Sequence, residues 1–218
     1  MLFNIIVIFL CSFIGGVSVF FIKNISQKYF KFILSFSGAY LFSITVIHIL
    51  PELFHDNEKP MLSGVFVLIG FLFQVFLNFF SKGIEHGHMP NQDHGHHHHL
   101  DNSSFFLFLS LLIHSILEGS LLVHPHAMHA KSDVGNILFG LATHKIPESL
   151  ALGTILITTI QKKWVAFLMI FIYTLASPIG LFLGNILLDN PLINHTWFDI
   201  LFAIIAGNFL HISTTIFF

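Results

Sequence analysis

The chain has 218 residues, of which 55% are hydrophobic and 9% charged, with a formal net charge of −2 and sixteen histidines. A soluble domain carries about 25% charged residues, so a mean hydropathy of +0.83 excludes that class and predicts an all-α, polytopic membrane helix bundle. Nine scattered lysines and no arginine give no support to nucleic-acid binding, and a single cysteine, Cys11, excludes an intrachain disulfide.

A bilayer core is crossed by about 20 apolar residues, and seven stretches qualify. The first, Leu2 to Ile22, lacks the basic start of a secretory signal and reads as a retained helix. The second, Phe32 to Phe54, carries His48 and Glu52 one helical turn apart, with Pro51 beside them. The third, Met61 to Phe80, leads into a histidine-rich loop at 81–103, set within a single transmembrane domain of residues 1–218. The fourth, Ser104 to Val123, contains HSILEG and ends before His124, His126 and His129. The fifth, Val134 to Ile160, contains HKIPES; the sixth, Trp164 to Leu188, has no acid; the seventh, Trp197 to Phe218, contains AGNFLHIS.

Lysines set the orientation. The first, third and fifth connections carry Lys23, Lys28, Lys31, Lys82, Lys162 and Lys163, whereas the even ones carry only Lys59 and Lys131. Lysine-rich loops stay in the cytosol, so the expectation is a multi-pass protein of the cell (inner) membrane with its N-terminus outside and the histidine-rich loop inside.

An ionised side chain at the centre of a membrane helix costs about 2.5–3.5 kcal/mol on insertion scales. Glu118, Lys145 and Glu148 therefore imply a purpose. Residues i and i+4 share a helix face, so His114 with Glu118, and again His144 with Glu148, each present an imidazole and a carboxylate in one direction. Two nitrogens and two carboxylate oxygens suit a divalent ion such as zinc or iron. A plainer reading of the same residues is a salt-bridge network of Glu118, Lys145 and Glu148 that braces two helices beside two hydrogen-bonded histidines. Pro147 has no N–H and deprives the Thr143 carbonyl of its helical partner. In lipid such a carbonyl must find a neighbouring helix, water or a cation. Pro51 and Pro178 do the same to Ile47 and Thr174, where an ordinary kink is the alternative.

The loop after the third span holds His86, His88, His94, His96, His97, His98 and His99. A flexible histidine tract recruits transition metals without a preformed site. His124, His126 and His129 form a looser outer cluster, readable as a metal-catching loop or as incidental loop histidines.

HSILEG in the fourth span followed by HKIPESLALG in the fifth resembles the paired H-x-x-x-E motifs of the ZIP family of divalent metal transporters. SITVIHILPE in the second span is similar to that family's H-x-x-P-E, and AGNFLHIS resembles its seventh helix. The resemblance covers essentially the whole chain. It implies a transporter or facilitator that moves a divalent metal into the cytosol, with His114, Glu118, His144 and Glu148 as metal ligands. Zn2+ is the expected cargo, with Fe2+, Mn2+ and Cd2+ as further candidates.

The family has eight helices in a 3+2+3 inverted repeat. This chain stops at Phe218, within the seventh, and is expected to be truncated. Many members also build a second metal position from the residue after each motif histidine, aided by an acid on helix six. Here those positions are Ser115 and Lys145, and a lysine ammonium can stand where a second cation would be. One metal per site is therefore expected.

Metal would enter past His48 and Glu52, for which helix capping is the alternative role, and leave toward the histidine-rich loop. Protonation of His and Glu weakens ligation, so transport should depend on pH. Partners are the metal ion and membrane lipid. Gly15, Gly16, Gly180 and Gly184 offer close helix contacts, either within the chain or across a homodimer. An intramembrane zinc hydrolase is the alternative, although there is no HExxH, and the two motif-bearing spans hold no acid beyond the ligand candidates Glu118 and Glu148. A receptor or channel subunit would leave the repeated motif unexplained.

Overall fold

The computed structural model describes residues 2–22, 26–55, 59–81, 102–123, 131–189 and 195–217. Among them are seven helices and no strand: α1 Leu2–Ser18, α2 Gln27–His55, α3 Pro60–Ser81, α4 Asn102–Leu121, α5 Lys131–Thr159, α6 Lys163–Asp189 and α7 His195–Phe217. The expected all-α membrane bundle is what forms. Four helices, over Gln27–His55, Pro60–Phe79, Lys163–Leu187 and Trp197–Thr215, are long and apolar enough to cross a membrane. α1 falls short because it ends at Ser18, four residues before the expected Ile22; Phe20 and Phe21 turn back onto the Val17 and Ser18 carbonyls. α5 is a continuous helix, but His144, Lys145 and Glu148 of its motif lower the apolarity of the run.

The outer face of the bundle is apolar as well as its interior. On α3, Met61, Leu68, Leu72, Phe76 and Phe79 are exposed, while Gln74 is fully buried. Such a pattern suits lipid outside and polar contacts within. Hydroxyls inside the helices bond back to their own backbone, as Thr45 does to Leu41 (2.7 Å), Ser149 to Lys145 (2.6 Å) and Thr154 to Leu150 (2.9 Å).

α2 is regular to Ile44 and then widens into one π-helical turn over Thr45–Ile49 before its last segment, Leu50–His55. The Leu50 N–H bonds to the Thr45 carbonyl, five residues back. Pro51 can neither donate to Ile47 nor tolerate its carbonyl at α-helical distance, and the wider turn meets that restriction. Pro147 and Pro178 lie inside unbroken helices.

Glycine sets the closest contacts. A methyl group added at Gly70 of α3 would strike the Ile204 carbonyl of α7, and one at Gly207 of α7 would strike the Val67 carbonyl of α3, so the two backbones touch. Gly15 of α1 lies in the same way against Ile146 of α5, and Gly180 of α6 against Ile116 of α4. Ile146 and Ile116 each stand two residues after a motif histidine. The α1–α5 and α6–α4 contacts thus fall at the same position relative to the two motifs. Gly16 faces Ile170 and Gly184 faces Val123 and Ser120. Of the two uses foreseen for these glycines, the structure shows contact within the chain.

Two apolar clusters fill the interior. One contains Ile8, Leu41, Ile49, Leu121, Leu141 and Phe209; the other contains Leu34, Leu111, Leu152, Leu156 and Ile170. α4 runs from the second cluster (Leu111) to the first (Leu121), and α5 runs from the first (Leu141) to the second (Leu152). The H-x-x-x-E motifs of both helices lie between.

Gly70→Val and Gly207→Val should force α3 and α7 apart and destabilise the protein by about 1–3 kcal/mol. Gly64→Ala, on the same helix with nothing near its added carbon, should be neutral or gain up to about 1 kcal/mol. Thermal unfolding in detergent separates these outcomes.

Candidate metal centre

His114 and Glu118 project from α4, and His144, Lys145 and Glu148 from α5; all five are buried, with at most 3% of the surface of any exposed. One turn of α4 brings His114 Nε2 to 3.0 Å from Glu118 Oε1. Across the helices, His114 Nε2 lies 4.0 Å from Glu148 Oε1 and His144 Nε2 lies 3.9 Å from Glu118 Oε1. The two imidazoles stand nearly perpendicular, with centroids 6.4 Å apart and an interplanar angle of 89°.

One ligand atom from each of His114, Glu118, His144 and Glu148 can be chosen so that all four lie within 4.8 Å of one another. Bonds of about 2.0–2.2 Å in a tetrahedral zinc site place its ligands about 3.4 Å apart. Closing the cluster onto an ion therefore takes movements of about an ångström, within the reach of side-chain rotation. Among the described residues no other group of three or more His, Cys, Asp or Glu side chains gathers in this way. Both ring nitrogens of His144 and Oε1 of Glu148 are buried without a hydrogen-bond partner among those residues. A buried polar atom left so is costly, and a cation held by one ring nitrogen of His144 and by Glu148 Oε1 would relieve two of the three.

Lys145 approaches the carboxylates from their other edge. Its Nζ donates to Glu148 Oε2 at 2.6 Å and pairs closely with Glu118 Oε2. Each carboxylate is thereby divided: Oε2 faces the ammonium and Oε1 faces the imidazoles. The ion-pair network and the set of candidate metal ligands, alternatives on sequence grounds, share the same pair of carboxylates.

Helix α6 closes the site without an acid. Its Ser177 Oγ lies 2.8 Å from Ser115 Oγ and donates to the Ser115 carbonyl at 3.0 Å, so Ser115, one of the two residues after the motif histidines, is tied to α6. Tyr173, one turn earlier and fully buried, accepts from Lys145 Nζ at 3.4 Å. Neither α6 residue was singled out in the sequence. Their signal is a stripe: Tyr173, Ser177, Gly180 and Gly184 fall on one helical face. His48 lies in the π-helical turn of α2 and Glu52 just beyond it, both half-buried and apart from the four-residue cluster. His86, His88, His94, His96, His97, His98 and His99, with His124, His126 and His129, lie outside the described residues.

Fold and site together define a membrane helix bundle with a buried histidine–carboxylate cluster of a kind that could hold a cation. The family model described as ZIP zinc transporter matches residues 1–104 and 85–217, and the chain belongs to that family. Protein zntD of Dictyostelium discoideum is 35% identical over 115 residues, 50% of this chain and 16% of that protein. Zinc transporter ZIP1 of Danio rerio is 30% identical over 146 residues, 61% of this chain and 46% of that protein. The matched stretches span less than half the length of either relative.

Removing one partner of a buried ion pair typically costs about 3–5 kcal/mol. Lys145→Met should destabilise the metal-free protein by that amount, and adding Glu118→Gln to it should restore much of the loss. Denaturant unfolding of the three proteins in detergent reads both effects.

Proposed function

We propose that this chain forms the cation pathway of a membrane transporter that carries a divalent transition metal, zinc first, into the cytosol through His114, Glu118, His144 and Glu148. The convergence of four ligand atoms within 4.8 Å, from two helices and in a dry interior, is the observation that carries the reading. Two imidazoles and two carboxylates match zinc's preference for four mixed nitrogen and oxygen donors. The Danio rerio relative is named a zinc transporter, which favours zinc over Fe2+, Mn2+ and Cd2+ as the main cargo.

One ion occupies the site at a time. Lys145 holds the Oε2 edges on which a second ion would depend, and Ser115 is engaged by Ser177. The apolar clusters on either side of the motifs close the site to bulk water, so the cargo exchanges its hydration shell for the four ligands. His48 and Glu52 supply a transient outer stop, and the histidines from His86 to His99 receive the ion in the cytosol. Inward orientation is supported by the lysines of the odd-numbered connections.

Reconstituted in proteoliposomes with a zinc-sensitive dye inside, the protein should take up zinc. His144→Ala and Glu148→Ala should each lose uptake, by tenfold or more, while still unfolding cooperatively on heating. Undiminished uptake in both variants would remove these residues from the pathway. Calorimetric titration of the detergent-solubilised protein lacking residues 86–99 should give one zinc per chain between α4 and α5, and two would contradict the single-ion reading.

A further inference from the structure

We propose that Tyr173 is a positioning residue of the transport site, acting on the cargo through Lys145; this rests on the reading that His114, Glu118, His144 and Glu148 hold the metal. An ammonium has three N–H donors and no acceptor. Lys145 faces three acceptors: Glu118 Oε2, Glu148 Oε2 and, at 3.4 Å, the phenol oxygen of Tyr173. The same Nζ stands 5.5 Å from the centroid of the tyrosine ring, close enough for a cation–π contribution.

Burial gives this third contact its consequence. Lys145 and Tyr173 are both fully buried, so no bulk water is at hand to take the third donor. Without the phenol oxygen, the third donor is left to compete for the Oε1 atoms of the two glutamates, which face the imidazoles. The ammonium would then turn toward the edge that the cargo uses. Tyr173 is held at its post by the rest of the α6 stripe, through the Ser177–Ser115 bonds and the backbone contact of Gly180 with Ile116.

The inference extends to specificity. With each Oε2 retained by lysine, each glutamate gives the metal a single oxygen, and the shell is two nitrogens and two oxygens. Zinc accepts that shell, whereas Mn2+ favours more oxygens in a six-coordinate arrangement. Freeing the ammonium loosens the division of the carboxylates, so zinc binding weakens and the preference over Mn2+ narrows.

The test uses the full chain in proteoliposomes, with zinc and manganese uptake measured for wild type, Tyr173→Phe, Lys145→Met and the double variant. Tyr173→Phe keeps the ring and removes only the oxygen. It should raise the half-saturating zinc concentration about fivefold, the size of one weak hydrogen bond, and lower the zinc-to-manganese ratio. In the Lys145→Met background the same change should have no further effect on either quantity. An unchanged half-saturation in Tyr173→Phe, or a loss of the same size with and without Lys145, would overturn the proposal.

A metal-free measurement separates this outcome from failure of the transport reading. The Lys145 ammonium of 15N-labelled protein should give a slowly exchanging signal that Tyr173→Phe abolishes. Retention of that signal sinks the role of Tyr173 even if the wild type carries no metal, whereas its loss beside a wild type inert to zinc sinks the transport reading alone.

Discussion

Three ionisable groups in a membrane interior must answer to one another, and the geometry around Lys145 shows how. A lone ammonium or carboxylate there is costly, but Lys145 sits between Glu118 and Glu148, close enough for Coulomb attraction in a weakly screening interior to offset much of the cost of leaving water. One positive charge faces two negative ones. The deficit of positive charge, together with the Oε1 edge of Glu148 and the nitrogens of His144 that have no hydrogen-bond partner among the described residues, is what supports the reading of this interior as a cation site.

That arrangement depends on how closely the helices approach. Lipid tails supply no hydrophobic drive between helices, so packing contacts must come from backbones brought together by small residues. Gly15 and Gly180 bring α1 onto α5 and α6 onto α4 at the position two residues after each motif histidine. The contact sits beside the motif and not at a helix end. A bulkier residue at either glycine would displace a ligand-bearing helix by a distance comparable to the ångström needed to close the cluster onto an ion. The glycines thus help set the spacing of the four candidate ligands.

Much of this was legible in the chain before folding is considered. The helix ends fall within five residues of the seven expected stretches because bilayer thickness sets the length of an apolar run. The motif pairs were legible because charges are rare at such depth and the i, i+4 spacing is rigid. Tyr173 and Ser177 were not, since neutral residues in an apolar span look like ordinary filler until a buried ammonium is placed beside them. Neither did spacing reveal that bracing and binding share the same carboxylates. That follows from the two oxygens of each carboxylate pointing to opposite neighbours, a matter of rotamers and not of register. The π-helical turn before Pro51 was hidden for a related reason: a proline announces that the ladder breaks, but the packing around α2 decides whether the helix kinks or widens.

The two halves of the frame correspond, yet the site they enclose does not. Ile116 and Ile146 occupy matching positions against matching glycines, while the residue before each is Ser115 on α4 and Lys145 on α5. Ser115 is satisfied by α6, through Ser177. Lys145 crosses instead to Glu118, the carboxylate of the other motif. A lysine in both positions would neutralise both carboxylates and leave little attraction for a divalent ion; a serine in both would leave two close carboxylates to repel each other whenever the site holds no metal. One lysine in a frame of paired helices meets both demands, because it holds the empty site together and still leaves negative charge to spare.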